Sequence, residues 1–126
     1  MKAEFYICKH CGNIIEKIKD AGVPVSCCGE KMSLLEPNTT DASNEKHLPV
    51  VTVNGTKVNV VVSSVEHPME EKHWIQWIYL ETDKGRHRYN LNPSDKPVAV
   101  FNIAENEKPL AAYEYCNLHG LWVTKI

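Results

Sequence analysis

Long apolar runs are missing from this chain. No stretch approaches the roughly 20 consecutive apolar residues of a membrane-spanning helix. The opening Met1-Lys2-Ala3-Glu4-Phe5-Tyr6-Ile7-Cys8 lacks the apolar core and small-residue cleavage site of a secretion signal. The expected setting is the cytoplasm, away from any membrane. An excess of positive charge is missing too: the net charge of −2 and pI near 6.3 give no general attraction for nucleic acid or an anionic lipid surface. Any anion the protein recognises has to be drawn by a local positive patch. There is also no long segment of helical period, no internal repeat and no low-complexity tract.

What is present is enough apolar material for a core and an odd number of cysteines. With 126 residues, 43% of them hydrophobic, the chain makes one ordinary domain, or a very small domain joined to a medium one. Five cysteines in a reducing compartment read better as metal ligands than as disulfides, and the odd count leaves one without a partner.

Composition changes near residue 37. Four of the five cysteines precede it, and Pro37-Asn38-Thr39-Thr40-Asp41-Ala42-Ser43-Asn44 is polar, turn-rich and aperiodic, which predicts a linker over residues 37–44. The piece before it is shorter than a hydrophobic core alone usually stabilises, so something else must hold it together. After the linker, β-branched or alternating runs dominate: Val50 to Val53, Thr56 to Val62, Trp74 to Glu81, His87 to Leu91, Val98 to Ile103, Ala111 to Tyr115 and Leu121 to Thr124. Turn signals separate them, and Asn54-Gly55 predicts a two-residue hairpin. About seven short strands at this spacing suggest an antiparallel sandwich. The expected fold is mainly β: a small tetracysteine, metal-stabilised domain over residues 1–36, then an immunoglobulin-like antiparallel β-sandwich over residues 37–126.

Within the first piece, Cys8-Lys9-His10-Cys11 is followed after fifteen residues by the adjacent pair Cys27-Cys28. Four thiolates can wrap one tetrahedral ion, and their binding free energy, about 10–16 kcal/mol for structural zinc in peptides, is also folding free energy. Spacing alone does not choose between zinc and iron. The vicinal ligands share one peptide link and should strain the angle at the metal, which predicts a distorted tetrathiolate site. A zinc knuckle, or a vicinal disulfide between Cys27 and Cys28, is the alternative. His10 reads as an exposed loop residue, since four cysteines complete a tetrahedron.

A second constellation comes from three separated segments: Glu45-Lys46-His47, His67-Pro68-Met69-Glu70-Glu71-Lys72-His73 and Cys116-Asn117-Leu118-His119. It offers one thiolate and four imidazoles. That is richer in nitrogen than a closed tetrahedral zinc site needs, and points to a redox-active iron with higher coordination. His87 has no cysteine or carboxylate motif beside it and reads as an ordinary surface or hydrogen-bonded histidine.

Extended to Leu48-Pro49, to Trp74-Ile75-Gln76-Trp77-Ile78 and to Gly120-Leu121-Trp122, these segments resemble the motifs of superoxide reductases. The tetracysteine piece resembles desulforedoxin, so essentially the whole chain is similar to the desulfoferrodoxins, the two-iron form of that family. The resemblance implies two iron ions per chain. One would be held in a rubredoxin-type centre by Cys8, Cys11, Cys27 and Cys28. The other would have His47, His67, His73 and His119 in an equatorial plane, Cys116 as axial thiolate and an open sixth position. It further implies that Glu45 can ligate the oxidised iron and that Lys46 sits beside the open position. The implied activity is one-electron reduction of superoxide to hydrogen peroxide, with electrons from a small carrier such as rubredoxin and a homodimer as the assembly.

Elementary electrostatics agrees with that assignment. A unit charge pair at 4 Å is worth about 1 kcal/mol in water and about 4 kcal/mol at an effective dielectric of 20, so a partly shielded Lys46 can draw an anion despite the negative net charge. Cys116 would push electron density onto the iron from the opposite side. Pro49 and Pro68 would fix the loops that aim His47 and His67, and Trp74, Trp77 and Trp122 read as core and wall residues. Two other classes of function compete. A non-catalytic electron carrier with a blue-copper-like site would need two histidines and usually an axial methionine, whereas four histidines are present and no methionine follows Cys116. A zinc-stabilised interaction module would leave Glu45 and Lys46 unexplained.

Overall fold

Residues of alternating polarity build strands in both parts of the chain. The structure is a computed structural model that describes residues 2–40, 42, 44–63 and 65–126. It divides into two units, Met1–Glu36 and Pro37–Ile126. No helix among the described residues is long and apolar enough to cross a membrane.

The described residues of the first unit form five very short strands: β1 (Phe5–Ile7), β2 (Ile14–Glu16), β3 (Ser26–Cys27), β4 (Glu30–Lys31) and β5 (Ser33–Leu34). β1 lies between β2 and β5, with Tyr6 opposite both Ile15 and Leu34, while β3 and β4 form a separate hairpin. Its buried apolar residues are Ala3, Phe5, Cys8 and Met32. At about 1.5–3 kcal/mol for each large side chain, so few cannot offset the ordering of the backbone. A metal held by the four thiolates would supply what the core does not.

The second unit begins with a single helical turn, α1 (Asn44–His47). Seven strands follow: β6 (Pro49–Asn54), β7 (Lys57–Val62), β8 (Ile75–Thr82), β9 (Arg86–Asn90), β10 (Val98–Asn102), β11 (Pro109–Cys116) and β12 (Gly120–Lys125). They form two antiparallel sheets, in the orders β10-β7-β6 and β12-β11-β8-β9. β7 shows the period of two plainly: Val58, Val60 and Val62 point into the core, and Lys57, Asn59 and Val61 point away. Ile75, Ile78 and Leu80 of β8, Ala99 and Phe101 of β10, Ala112 and Cys116 of β11, and Leu91 and Ile103 from the loops complete that core.

Two local features differ from the sequence expectation. The first hairpin turns on Gly55-Thr56, because Asn54 stays paired with Lys57. Burial of alternate valines in β7 fixes the register, and the positive φ of 63° falls on Gly55, where no Cβ opposes it. Part of the predicted linker also belongs to the sandwich. Asn38 donates its backbone N–H to Leu121 O at 3.0 Å and its Nδ2 to Val123 O at 3.1 Å, and its Oδ1 accepts from Val123 N at 2.9 Å. The amide thus covers the exposed edge of β12. Asp41 and Ser43 of that segment lie outside the described residues.

A carboxylate ties the β8–β9 hairpin to the turn before β11. Glu107 accepts hydrogen bonds from the Thr82 hydroxyl, from His87 Nε2 at 2.8 Å and from Ala104 N at 3.1 Å. These bonds, His87 foremost, pull its pKa from the ordinary 4.5 down to about 2. A carboxylate with a depressed folded-state pKa contributes stability that is complete above its unfolded value and is lost as the pH falls through the folded one. Glu107→Gln should therefore lower the melting temperature at pH 7, and its deficit against the parent should shrink steadily as the pH falls from 4.5 towards 2. A deficit independent of pH over that range would contradict the clasp.

Candidate metal centres

In the first unit, the Sγ atoms of Cys8, Cys11, Cys27 and Cys28 lie within 4.8 Å of one another. Cys11 Sγ is 3.6 Å from Cys27 Sγ, which is 4.0 Å from Cys28 Sγ. A tetrahedral ion with metal–sulfur bonds of about 2.3 Å spaces its ligands about 3.8 Å apart, so the group fits one ion. All five cysteines of the chain are unbridged, which removes the disulfide alternative. Cys8 sits just after β1, and its turn is closed by Cys8 N to Asn13 O and Gly12 N to Cys8 O, both 2.8 Å. Cys28 takes a left-handed φ of 53°, and with it the sulfurs of the vicinal pair lie 4.0 Å apart in the same cluster.

Crowding shows in the titration of these thiols. Backbone N–H groups, that of Cys11 foremost, lower the pKa of Cys8 to about 6, whereas the neighbouring thiols of Cys11 and Cys8 raise that of Cys28 to about 12. Four like charges cannot share this volume without a cation, so metal entry must release protons. Sequence reasoning missed Asn13, whose Nδ2 donates to Cys27 Sγ at 3.6 Å. His10 faces Glu30 at 3.1 Å on the exposed surface, outside the cluster.

In the second unit, five donors from different elements converge. His47 ends α1, His67 and His73 lie on the connection from β7 to β8, Cys116 ends β11, and His119 sits in the turn before β12. Successive imidazoles meet edge to face, with centroids 4.7 to 5.0 Å apart. The contacts close a ring in the order His47, His67, His73, His119, which sets His47 opposite His73 and His67 opposite His119. His47 Nε2 is 3.1 Å from His67 Nε2 and 3.0 Å from His119 Nδ1. Metal–nitrogen bonds of about 2.1 Å at right angles put neighbouring nitrogens about 3.0 Å apart. Cys116 Sγ lies 4.0 Å from His119 Nδ1.

The chemistry of the donors fits a cation as well as the distances do. His67 Nδ1 donates to Pro68 O at 2.6 Å, leaving Nε2 with a lone pair aimed inward. His73 Nε2 is buried with no hydrogen-bond partner. Burial pushes the pKa of His67 down to about 4 and that of His73 below its usual range, so both are neutral ligands at pH 7. Burial pushes the Cys116 thiol up, so the thiolate needs a cation beside it.

Exposure grades across the centre. Cys116 is fully enclosed, His47 and His67 are buried, and His73 and His119 are partly exposed. A cavity of about 240 Å³ is lined by Ala42, Lys46, Pro68 and all four histidines, but not by Cys116. The open side is therefore the one away from the thiol. Lys46 reaches this cavity; Glu45 is exposed in α1 and is not part of its lining. The Glu45 carbonyl accepts from the Ser63 hydroxyl and from Val65 N, the latter at 3.0 Å, which secures α1 against the exit of β7. Trp122 stacks on His47 at 4.9 Å and donates Nε1 to His119 O at 3.0 Å. His87 belongs to the Glu107 clasp and not to this site.

Glu114 also escaped the sequence reading. It is wholly buried on β11 two residues before Cys116, neither carboxyl oxygen has a partner, and burial raises its pKa well above the usual range. Burial of this kind disfavours the charged form of the carboxyl. The one signal was a charged residue inside the apolar run Ala111-Ala112-Tyr113-Glu114-Tyr115.

Comparison with known proteins points in one direction. A family model described as desulfoferrodoxin matches residues 39–125. A desulfoferrodoxin of Syntrophotalea carbinolica is 49% identical over 121 residues, covering 96% of this chain and 94% of the relative. The crystal structure of the superoxide reductase from Treponema pallidum superposes with a TM-score of 0.84 at 37% identity, covering 99% of this chain and all of that one. A one-iron superoxide reductase from Giardia intestinalis matches with a TM-score of 0.57 at 34% identity, over 65% of this chain and 97% of its own.

Two metal ions per chain are expected on elemental analysis. Stripping them with a chelator should let the amides of β1 and β2 exchange freely while those of β7 and β8 stay protected; retained protection in β1 would show that the first unit folds without metal.

Proposed function

Because the chain belongs to the desulfoferrodoxin family, we propose that it is a superoxide reductase, adding one electron and two protons to superoxide and releasing hydrogen peroxide. The observation that carries this reading is the cavity over the four imidazoles, on the side away from Cys116 and with Lys46 in its wall. His47, His67, His73, His119 and Cys116 would hold a ferrous iron that would supply the electron and a position for the anion, and Cys8, Cys11, Cys27 and Cys28 would hold an iron that would supply a one-electron store.

The chain's own residues do the rest. Lys46 is the steering charge, and local focusing of this kind raises association rates by roughly 10–10³-fold and weakens with salt. The enclosed position of Cys116 keeps water and anions from the sulfur side, so superoxide enters from one direction only. Protons for the product arrive through water at the open mouth. Glu45, one residue before Lys46, is the hard carboxylate suited to close the centre when the iron is ferric.

One external electron is needed per turnover, and a small redox protein such as rubredoxin is the donor in this reading. The assembly is a homodimer, and five unbridged thiols suit the cytoplasm.

With a reduced donor present, each superoxide consumed should oxidise one donor equivalent, and Cys116→Ser should abolish that coupling together with the sulfur-to-iron absorption. Superoxide loss without donor oxidation would contradict the proposal. Lys46→Ala should slow the second-order reaction about tenfold at low salt and flatten its salt dependence; unchanged rates at both ionic strengths would remove Lys46 from the steering role.

A further inference from the structure

Asn117 stands between the enclosed thiol and the last imidazole, in the turn from β11 to β12. An asparagine there would ordinarily serve its own turn. Instead its side chain reaches across the site. Oδ1 accepts from Trp74 N at 3.0 Å and Nδ2 donates to Lys72 O at 2.9 Å, partners 43 and 45 residues away. Its backbone N–H also donates to Trp74 O at 3.4 Å. Lys72 and Trp74 are the two neighbours of His73.

His73 needs such a frame. The ring of His67 is fixed by Pro68 O, whereas the inward nitrogen of His73 is buried with no partner. The His73 ring packs edge to face between those of His67 and His119, and its aim also depends on the main chain that carries it. That main chain is held from two sides: His73 N donates to Glu70 O at 3.0 Å and Glu70 N donates to His73 O at 2.8 Å, while Asn117 holds the groups before and after. One amide thus locks the loop that carries His73 to the strand end that carries Cys116.

We propose that Asn117 is a positioning residue of the second metal centre, fixing the separation of His73 from Cys116 through the main chain of Lys72 and Trp74. The proposal rests on the iron centre assigned above, and it extends to the affinity and electronic state of that iron. Groups that orient metal ligands typically change affinity or activity 10–100-fold when removed.

The test uses the full-length, iron-loaded protein and three variants. Asn117→Ala removes both side-chain bonds. Asn117→Asp keeps the acceptor for Trp74 N–H and loses the donor to Lys72. Glu107→Gln loosens the clasp at the ends of β8 and β11 opposite the donors, where Pro109 pairs with Thr82. Chelator competition measures iron release at each centre, and absorption of the ferric protein reads the sulfur-to-iron transition. Asn117→Ala should loosen the second iron about 10–100-fold and shift that transition. Asn117→Asp should fall between it and the parent. In both, the tetrathiolate absorption in the same chain should stay unchanged, and Glu107→Gln should lower the melting temperature without moving either iron readout. Unaltered iron release and absorption in Asn117→Ala, or equal changes in Glu107→Gln, would overturn the positioning role. Neither readout involves superoxide, so a failure of the enzymatic reading would register separately.

Discussion

Five donor atoms of metal-binding type, four imidazole nitrogens and one thiol sulfur, held together in a small enclosed volume, are the constraint on which this structure depends. The imidazole nitrogens of His47, His67 and His119 approach to 3.0 and 3.1 Å, the His67 Nε2 lone pair faces inward, and buried His73 Nε2 has no hydrogen-bond partner. Such an arrangement is unfavourable for a bare protein and favourable around a cation, so the fold holds the site open for a metal. The sandwich makes this possible because Cys116 ends a central strand inside the core, while the histidines come from the loops and the helical turn that frame it.

The two units use metal differently. The first has little core, and its four thiolates do the work that apolar burial performs elsewhere. The second has a core of valines, isoleucines and leucines that stands without help, and can therefore keep its metal one-sided. Enclosure of the thiol on one face and a cavity beside Lys46 on the other gives that centre a direction. A closed structural site would have no use for one.

Much of this was legible in the sequence, for physical reasons that also mark where legibility stops. Strand positions followed from the period of two, as in Val58, Val60 and Val62, and the donor residues are chemically distinctive enough to be named by type and spacing. The hairpin fell one residue from expectation because register is decided by burial across the sheet, not by the turn dipeptide. Asn38 read as linker because nothing local reveals that its amide will complete β12. Glu114 and Asn117 were passed over for the same reason: one acts by being buried, the other through bonds to residues 43 and 45 positions away. The left-handed main chain at Cys28, which brings two adjacent thiols into one cluster, is likewise not visible in the spacing.

The central claim is that the one-sided centre reduces superoxide and does not dismutate it. Anaerobic pulse generation of superoxide against the reduced, iron-loaded protein, with both products quantified, tests this most directly. One hydrogen peroxide for each superoxide consumed, without dioxygen, is the predicted result. Equal amounts of peroxide and dioxygen would contradict it.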